Sequence, residues 1–194
     1  MPVIGITGSF GTGKTTVAKF FAQRGAKVIN ADKLAHRIIK QGGAEYKKIV
    51  RLFGKGVLNR RGEIDRRKMA RQVFGHRRAL GELCKIIHPP VIKEIKRRIA
   101  QAKSPRWVVI DAPLLIEAGL ASIVDKLIVV SANQANQIKR LKAKTGLSKK
   151  DILQRMKAQL PLEKKQQLAD FTVNNNGSLI YTKKQVERIW QEVK

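Results

Sequence analysis

Residues 8–16 read Gly-Ser-Phe-Gly-Thr-Gly-Lys-Thr-Thr, between an apolar run at 3–7 and a helix-like VAKFFAQRG. Gly8, Gly13, Lys14 and Thr15 satisfy the spacing G-x-x-x-x-G-K-[ST]. Each residue type has a use there. Glycines let a loop curl so that successive backbone N–H groups point inward at phosphate oxygens. A helix starting near Lys14 adds its positive N-terminal end. The lysine reaches β- and γ-phosphates, and a Thr15 hydroxyl suits Mg²⁺. The loop therefore predicts that Gly11, Thr12, Gly13, Lys14, Thr15 and Thr16 hold the phosphates of ATP, with Thr15 as a metal donor.

A phosphate loop alone leaves GTPases, motor-like ATPases and small-molecule kinases open. The guanine-reading pattern Asn-Lys-x-Asp is absent, and 194 residues leave little room for a further effector domain. A small kinase fits best, so the next search is for groups on the acceptor side. Asp32 follows the second apolar run in VINADKLAHR. At the end of a strand beside the P-loop strand, its carboxylate can orient an attacking hydroxyl and accept its proton. It equally suits an N-cap for a helix from Lys33. Asp111 closes the third run in VVIDAPLL, where an acid can hold a magnesium-bound water or cap a helix. His88 precedes two prolines in IIHPPV, a place for a cap or packing residue. Arg140 and Arg155 lie in a basic stretch; their planar guanidinium groups can stabilise transferring phosphate or be solvated.

These groups need a frame. Apolar, β-rich runs occur at 3–7, 27–30, 107–110 and 127–131, with a weaker fifth at 171–174. Stretches with apolar residues at three- and four-residue spacing separate them. Strands alternating with helices predict an α/β protein of the P-loop NTPase fold, a five-stranded parallel sheet flanked by helices. The core would comprise about 1–32, 104–138 and 167–194 of a single kinase domain over 1–194. A helical insertion, about 33–103, would bind the acceptor, with turns at QGG, FGKG, RRG and HPP. A helical, basic excursion at about 139–166 reads as a lid.

Composition sets outer bounds. Apolar runs fall far short of the ~20 residues that span a bilayer, and residues 1–25 lack a charged head, apolar middle and cleavage site. Neither a membrane nor a secretory leader is expected. Cys84 is the single cysteine, which forms no internal disulfide and suits a packing residue in a cytoplasmic protein. Lys and Arg number 41 against 14 acids, a net charge of +27. Such a field attracts polyanions. Its basic residues are spread along the chain and aromatics are only 5%, which favours solvated helix faces and acidic small substrates over a nucleic-acid surface.

Seven ordered segments carry a resemblance: IGITGSFGTGKTTVA, VINADKLAHR, GEIDRRKMARQVF, LCKIIHPPV, VVIDAPLLIEAGL, QIKRLKAKTGLSKKDILQRMKAQ and ADFTVNNNG. Together the sequence resembles the dephospho-coenzyme A kinases. The resemblance implies a transferase that moves the ATP γ-phosphate to the ribose 3′-hydroxyl of dephospho-coenzyme A, using Mg²⁺. It implies Asp32 as base, Lys14 and Arg140 as further catalytic groups, and Asn175 and Gly177 near adenine. His88, Asp111 and Glu117 would lie on the acceptor side, Asp111 and Glu117 within D-x-P-L-L-x-E. Asn30-Ala31-Asp32 stands where many relatives read Asp-Ala-Asp, and the residue proposed as base is kept. The alternatives are a nucleoside or nucleotide kinase of similar fold and, more distantly, a basic P-loop nucleic-acid-binding protein. A monomer acting on small molecules, with no need of nucleic acid, is expected.

Overall fold

The computed structural model describes residues 2–102 and 107–193. The boundary expected at 103/104 between insertion and core lies outside the described residues. Five strands, β1 (Val3–Thr7), β2 (Lys27–Asn30), β3 (Val108–Asp111), β4 (Lys126–Ser131) and β5 (Phe171–Asn174), form one sheet in the order β2-β3-β1-β4-β5. Every neighbouring pair is parallel. All residues of β1 and β3 are buried, as unbroken apolar runs require when helices cover both faces.

The strand order corrects one expectation. β2 pairs with β3, and β3 intervenes between it and the P-loop strand β1. Register then places Asp111 opposite both Ile6 and Asn30. The loop after Thr7 and the end of β3 thus start from the same sheet edge, where ligands bind in open α/β folds.

One compact unit comprises Met1–Asn30 and Gln101–Lys194. Its helices are α1 (Lys14–Ala22), α6 (Gln134–Thr145), α7 (Lys149–Lys157), α8 (Leu162–Gln167) and α9 (Leu179–Val193). The apolar faces of α1 and α9 meet over the sheet: Trp190 lies edge-on to Phe21 at 6.0 Å and tilted to Trp107 at 5.8 Å. β3 starts at Val108, one residue later than predicted, so Trp107 falls outside it, and the Trp107 carbonyl accepts from Lys27 N.

The second unit, Ala31–Ala100, is helical. It contains α2 (Ala31–Ile38), α3 (Ala44–Phe53), α4 (Arg66–Val73) and α5 (Arg77–Ala100). Ile49, Val57, Met69 and Val73 form its core. The Asp65 carboxylate caps α4 by accepting from Arg67 N and Lys68 N. The HPP segment is not a turn, because α5 runs for 24 residues through Pro89 and Pro90. Proline removes two backbone donors, yet its φ suits a helix. Apolar Ile86 and Ile87 before the pair, and buried Val91 and Ile95 after it, pack both halves on neighbouring elements. Tertiary packing overrides the local break. Likewise Asp32 is not an N-cap, because α2 already begins at Ala31 and carries Asp32 in its first turn.

Trp190→Ala is expected to lower unfolding free energy by about 3–5 kcal/mol, read by urea denaturation. A loss under ~1 kcal/mol would show that this aromatic cluster does not hold α9 to the sheet.

Candidate phosphate-binding site

The loop between β1 and α1 is closed by its own lysine. Lys14 Nζ donates to the Gly8 and Ser9 carbonyls at 3.0 and 2.9 Å. Ser9 O also accepts from Thr12 N and Thr12 Oγ1. Gly13 stands at the N-cap of α1 with φ 94°, and no acidic residue sits in the first turn. The positive end of the helix is therefore left for an anion. Gly11 and Gly13 are required by space as well as by φ. A Cβ at Gly11 would meet Leu141 of α6, and one at Gly13 would collide with the Asn175 amide.

Beside this loop, Asp111 is 3% exposed. Its Oδ2 accepts from Thr15 Oγ1 at 3.1 Å and from Asn30 Nδ2 at 2.8 Å. A buried carboxylate needs such donors, and the register of β2 and β3 delivers Asn30 to it. Among the described residues no group of three His, Cys, Asp or Glu could hold a metal. A hydroxyl and one carboxylate fit Mg²⁺, a hard cation that keeps several waters and completes its shell with phosphate oxygens. Zinc or iron would want more side-chain ligands.

The far wall comes from the C-terminal part of the chain. Asn175, 4% exposed, donates through Nδ2 to Thr12 O at 2.7 Å and accepts at Oδ1 from Thr182 Oγ1 at 2.9 Å. Its side chain therefore spans from α9 to the loop. Asn174, whose role the sequence leaves unassigned, accepts at Oδ1 from Asn176 N and Nδ2. Arg140 Nη2 donates to Asn175 O at 2.7 Å. Arg140 Nη1 is buried without a hydrogen-bond partner among the described residues and lies 3.9 Å from where a Gly13 Cβ would be. A guanidinium donor held beside a phosphate loop is poised for an anion. Arg155 of α7 lies over the ring of Phe10, in the loop itself, at 5.8 Å, a cation–π distance.

The structure thus brings together Gly11, Thr12, Gly13, Lys14, Thr15, Thr16, Asp111, Arg140 and Asn175. Glu117 lies elsewhere in this unit, where its carboxylate accepts from Lys165 Nζ and Leu160 N. Asp32 and His88 belong to the helical unit: Asp32 is exposed on α2 and His88 is half-buried on α5. There, a groove of about 390 Å³ is lined by Leu34, Arg37, Ile38, Pro90, Lys93, Glu94, Arg97 and Arg98. Hydrogen bonds from Arg97 and Arg98 hold the Glu94 carboxyl down at about 2. On α2, burial pushes the His36 pKa down, with the Arg66 charge adding to it, so the ring is neutral near pH 7.

Sequence reasoning missed Asn30 as a donor and Phe10 as a resting place for Arg155. The substitution at Asn30 was the available signal for the first. For Phe10, an aromatic inside a glycine-rich loop was the signal.

A sequence-family model described as dephospho-CoA kinase matches residues 2–180. The dephospho-CoA kinase of Carboxydothermus hydrogenoformans is 41% identical over 196 residues, covering 100% of this chain and 95% of that one. Among solved structures, a Thermus thermophilus protein is 31% identical at TM-score 0.83, covering 100% of this chain and 98% of that chain. The dephospho-CoA kinase of Campylobacter jejuni is 27% identical at TM-score 0.67, with 98% and 96% covered.

Gly13→Ala is expected to weaken ATP binding by at least about 10²-fold, since it combines a strained φ with a collision between the added Cβ and the Asn175 amide. Calorimetric titration with ATP checks it. Unchanged affinity would mean that the loop does not hold the phosphates.

Proposed function

The chain belongs to the dephospho-CoA kinase family, and we propose that it transfers the γ-phosphate of ATP to the ribose 3′-hydroxyl of dephospho-coenzyme A, forming coenzyme A. The family match over nearly the whole chain carries this reading, and the intact phosphate loop supports the donor side.

The geometry and the positions of the family motifs support the following roles. Backbone N–H groups of the loop and the N-terminus of α1 hold the ATP phosphates. The Lys14 ammonium exchanges the Gly8 and Ser9 carbonyls for β- and γ-phosphate oxygens. Its charge is then opposite the oxygens on which charge develops. Thr15 and Asp111 would hold Mg²⁺, which when bound neutralises phosphate charge. Asn175 positions the loop by gripping Thr12 O. Arg140 offers its unpaired Nη1 to the transferring group.

The helical unit serves the acceptor, whose diphosphate suits the cationic rim of Arg37, Lys93, Arg97 and Arg98. Asp32 accepts the proton of the 3′-hydroxyl as its oxygen attacks the γ-phosphorus in line. The bond to the β–γ bridging oxygen breaks and ADP leaves. His88 and Glu117 occupy acceptor-side motif positions, although the Glu117 carboxylate already has protein donors. The segment at about 139–166 closes over the phosphates and excludes water.

Incubation with ATP and dephospho-coenzyme A, with mass analysis of the product, is expected to show addition of one phosphate. Preferential phosphorylation of nucleosides or nucleoside monophosphates would overturn the acceptor assignment. Salt-dependent RNA or DNA binding without any small-molecule phosphorylation would overturn the kinase reading.

Lys14→Ala should lower kcat by about 10²–10³-fold; near-normal turnover would remove the loop from the mechanism. Asp32→Asn should lower kcat by about 10²–10⁴-fold while ATP affinity stays within about threefold. Collapse of ATP affinity with kcat spared would make Asp32 a structural residue.

A further inference from the structure

Lys165 sits in the polar segment Leu162–Gln167 next to an exposed Lys164, yet its side chain is 0% exposed. Lysine is almost never fully buried unless it is paired. Its ammonium donates to Pro113 O at 2.7 Å and to Glu117 Oε1 at 2.8 Å. Each acceptor has a second donor. Pro113 O also takes Thr7 Oγ1 at 3.2 Å, and Glu117 Oε1 also takes Leu160 N at 2.9 Å. One cation therefore joins the last residue of β1, the loop after β3, the stretch before α8, and α8 itself.

Two of those places adjoin the phosphate site. Thr7 immediately precedes Gly8, and Pro113 stands two residues past Asp111. Between them, Ala112 N donates to Ile6 O at 3.0 Å. A buried ion pair adds little net stability over well-packed apolar groups, because desolvation offsets the attraction. Its directional hydrogen bonds do fix where the joined backbones lie. Burial pushes the Lys165 pKa down and Glu117 opposes that shift. The carboxylate is thus the partner that keeps the cation where it is.

We propose that Lys165 is a positioning residue for phosphoryl transfer: through the Pro113 carbonyl and Glu117 it sets the loop carrying Asp111 and roots the segment from Leu160 to α8 beside it. Glu117 serves this root, not the acceptor. At the other end, Arg140 of α6 is tied to Asn175 O, and Leu141 lies where a Gly11 Cβ would be. Within the excursion at about 139–166, closure is then narrowed to the part between these two anchors, which holds α7 and Arg155. The inference rests on the kinase reading above, and deepens its site.

The test compares Lys165→Met, Glu117→Ala and Glu117→Gln with the wild-type chain. Lys165→Met and Glu117→Ala should each lower kcat by about 10²-fold, the usual cost of a small misplacement, with both KM values within about threefold. Glu117→Gln keeps a hydrogen-bond acceptor for Lys165 and Leu160 N but removes the charge that holds the cation, and should lower kcat less than Glu117→Ala, by about 10-fold, with both KM values within about threefold. Calorimetry of ATP binding with and without Mg²⁺ reads the root without any acceptor. The gain in affinity on adding Mg²⁺ should shrink in the first two variants, while metal-free ATP binding is kept. If Lys165→Met does not fold, Glu117→Ala decides the same question. The proposal is overturned if the folded variants keep wild-type kcat and Mg²⁺ response. It is also overturned if Glu117→Gln raises the dephospho-coenzyme A KM about tenfold with kcat unchanged. Should the wild-type chain fail to phosphorylate dephospho-coenzyme A, the acceptor reading fails. The Mg²⁺ response of ATP binding then still decides the role of Lys165.

Discussion

A carboxylate cannot be buried at the end of a sheet unless donors are brought to it, and Asp111 states that constraint for this molecule. Its donors come from Asn30 at the end of β2 and from Thr15 in the first turn of α1. Both depend on the parallel register that sets Asp111 opposite Ile6 and Asn30. Shifting β3 by one residue would turn the carboxylate to the other face of the sheet. The position of the loop after β1, the Thr15 and Asn30 donors on Asp111 and the order of three strands are thus one arrangement.

The opposite side of the loop is held by neutral groups. Asn175 uses its amide nitrogen on Thr12 O and its amide oxygen on Thr182. The loop therefore lies between a buried acid contributed by β3 and a buried amide contributed by the turn after β5. In this arrangement the Lys14 ammonium is held on the Gly8 and Ser9 carbonyls, and Arg140 Nη1 is buried beside Gly13 without a hydrogen-bond partner among the described residues.

Much of this was legible in the residues. The strands were visible because β1, β3 and β4 are apolar on both faces, and the phosphate loop because its spacing leaves few other uses. The order of β2 and β3 was not legible, since parallel pairing leaves no mark in either run. HPP misled because proline reports on local cost, whereas α5 is held by Ile86, Ile87, Val91 and Ile95 on either side. The N-cap alternative for Asp32 arose because VINA gives no sign that α2 begins at Ala31. Lys165 was hidden by composition: in a chain with 41 Lys and Arg, one lysine in LEKKQQ looks like another solvated charge. At Arg60, Arg61, Arg66, Arg67, Arg77 and Arg78 that expectation holds, for all are exposed.

The sheet order also bears on how the chain is made. Among the described residues β1 pairs only with β3 and β4, and β2 only with β3. On a ribosome, which releases the N-terminus first, neither of the first two strands has a partner until residues from Val108 onward emerge. The helical unit Ala31–Ala100, with its own core, is complete before then. Its local contacts favour rapid folding, whereas the sheet must wait for distant segments. Synthesis therefore presents the unit assigned to the acceptor first. The edge that carries the phosphate loop is closed only when the second half of the protein arrives.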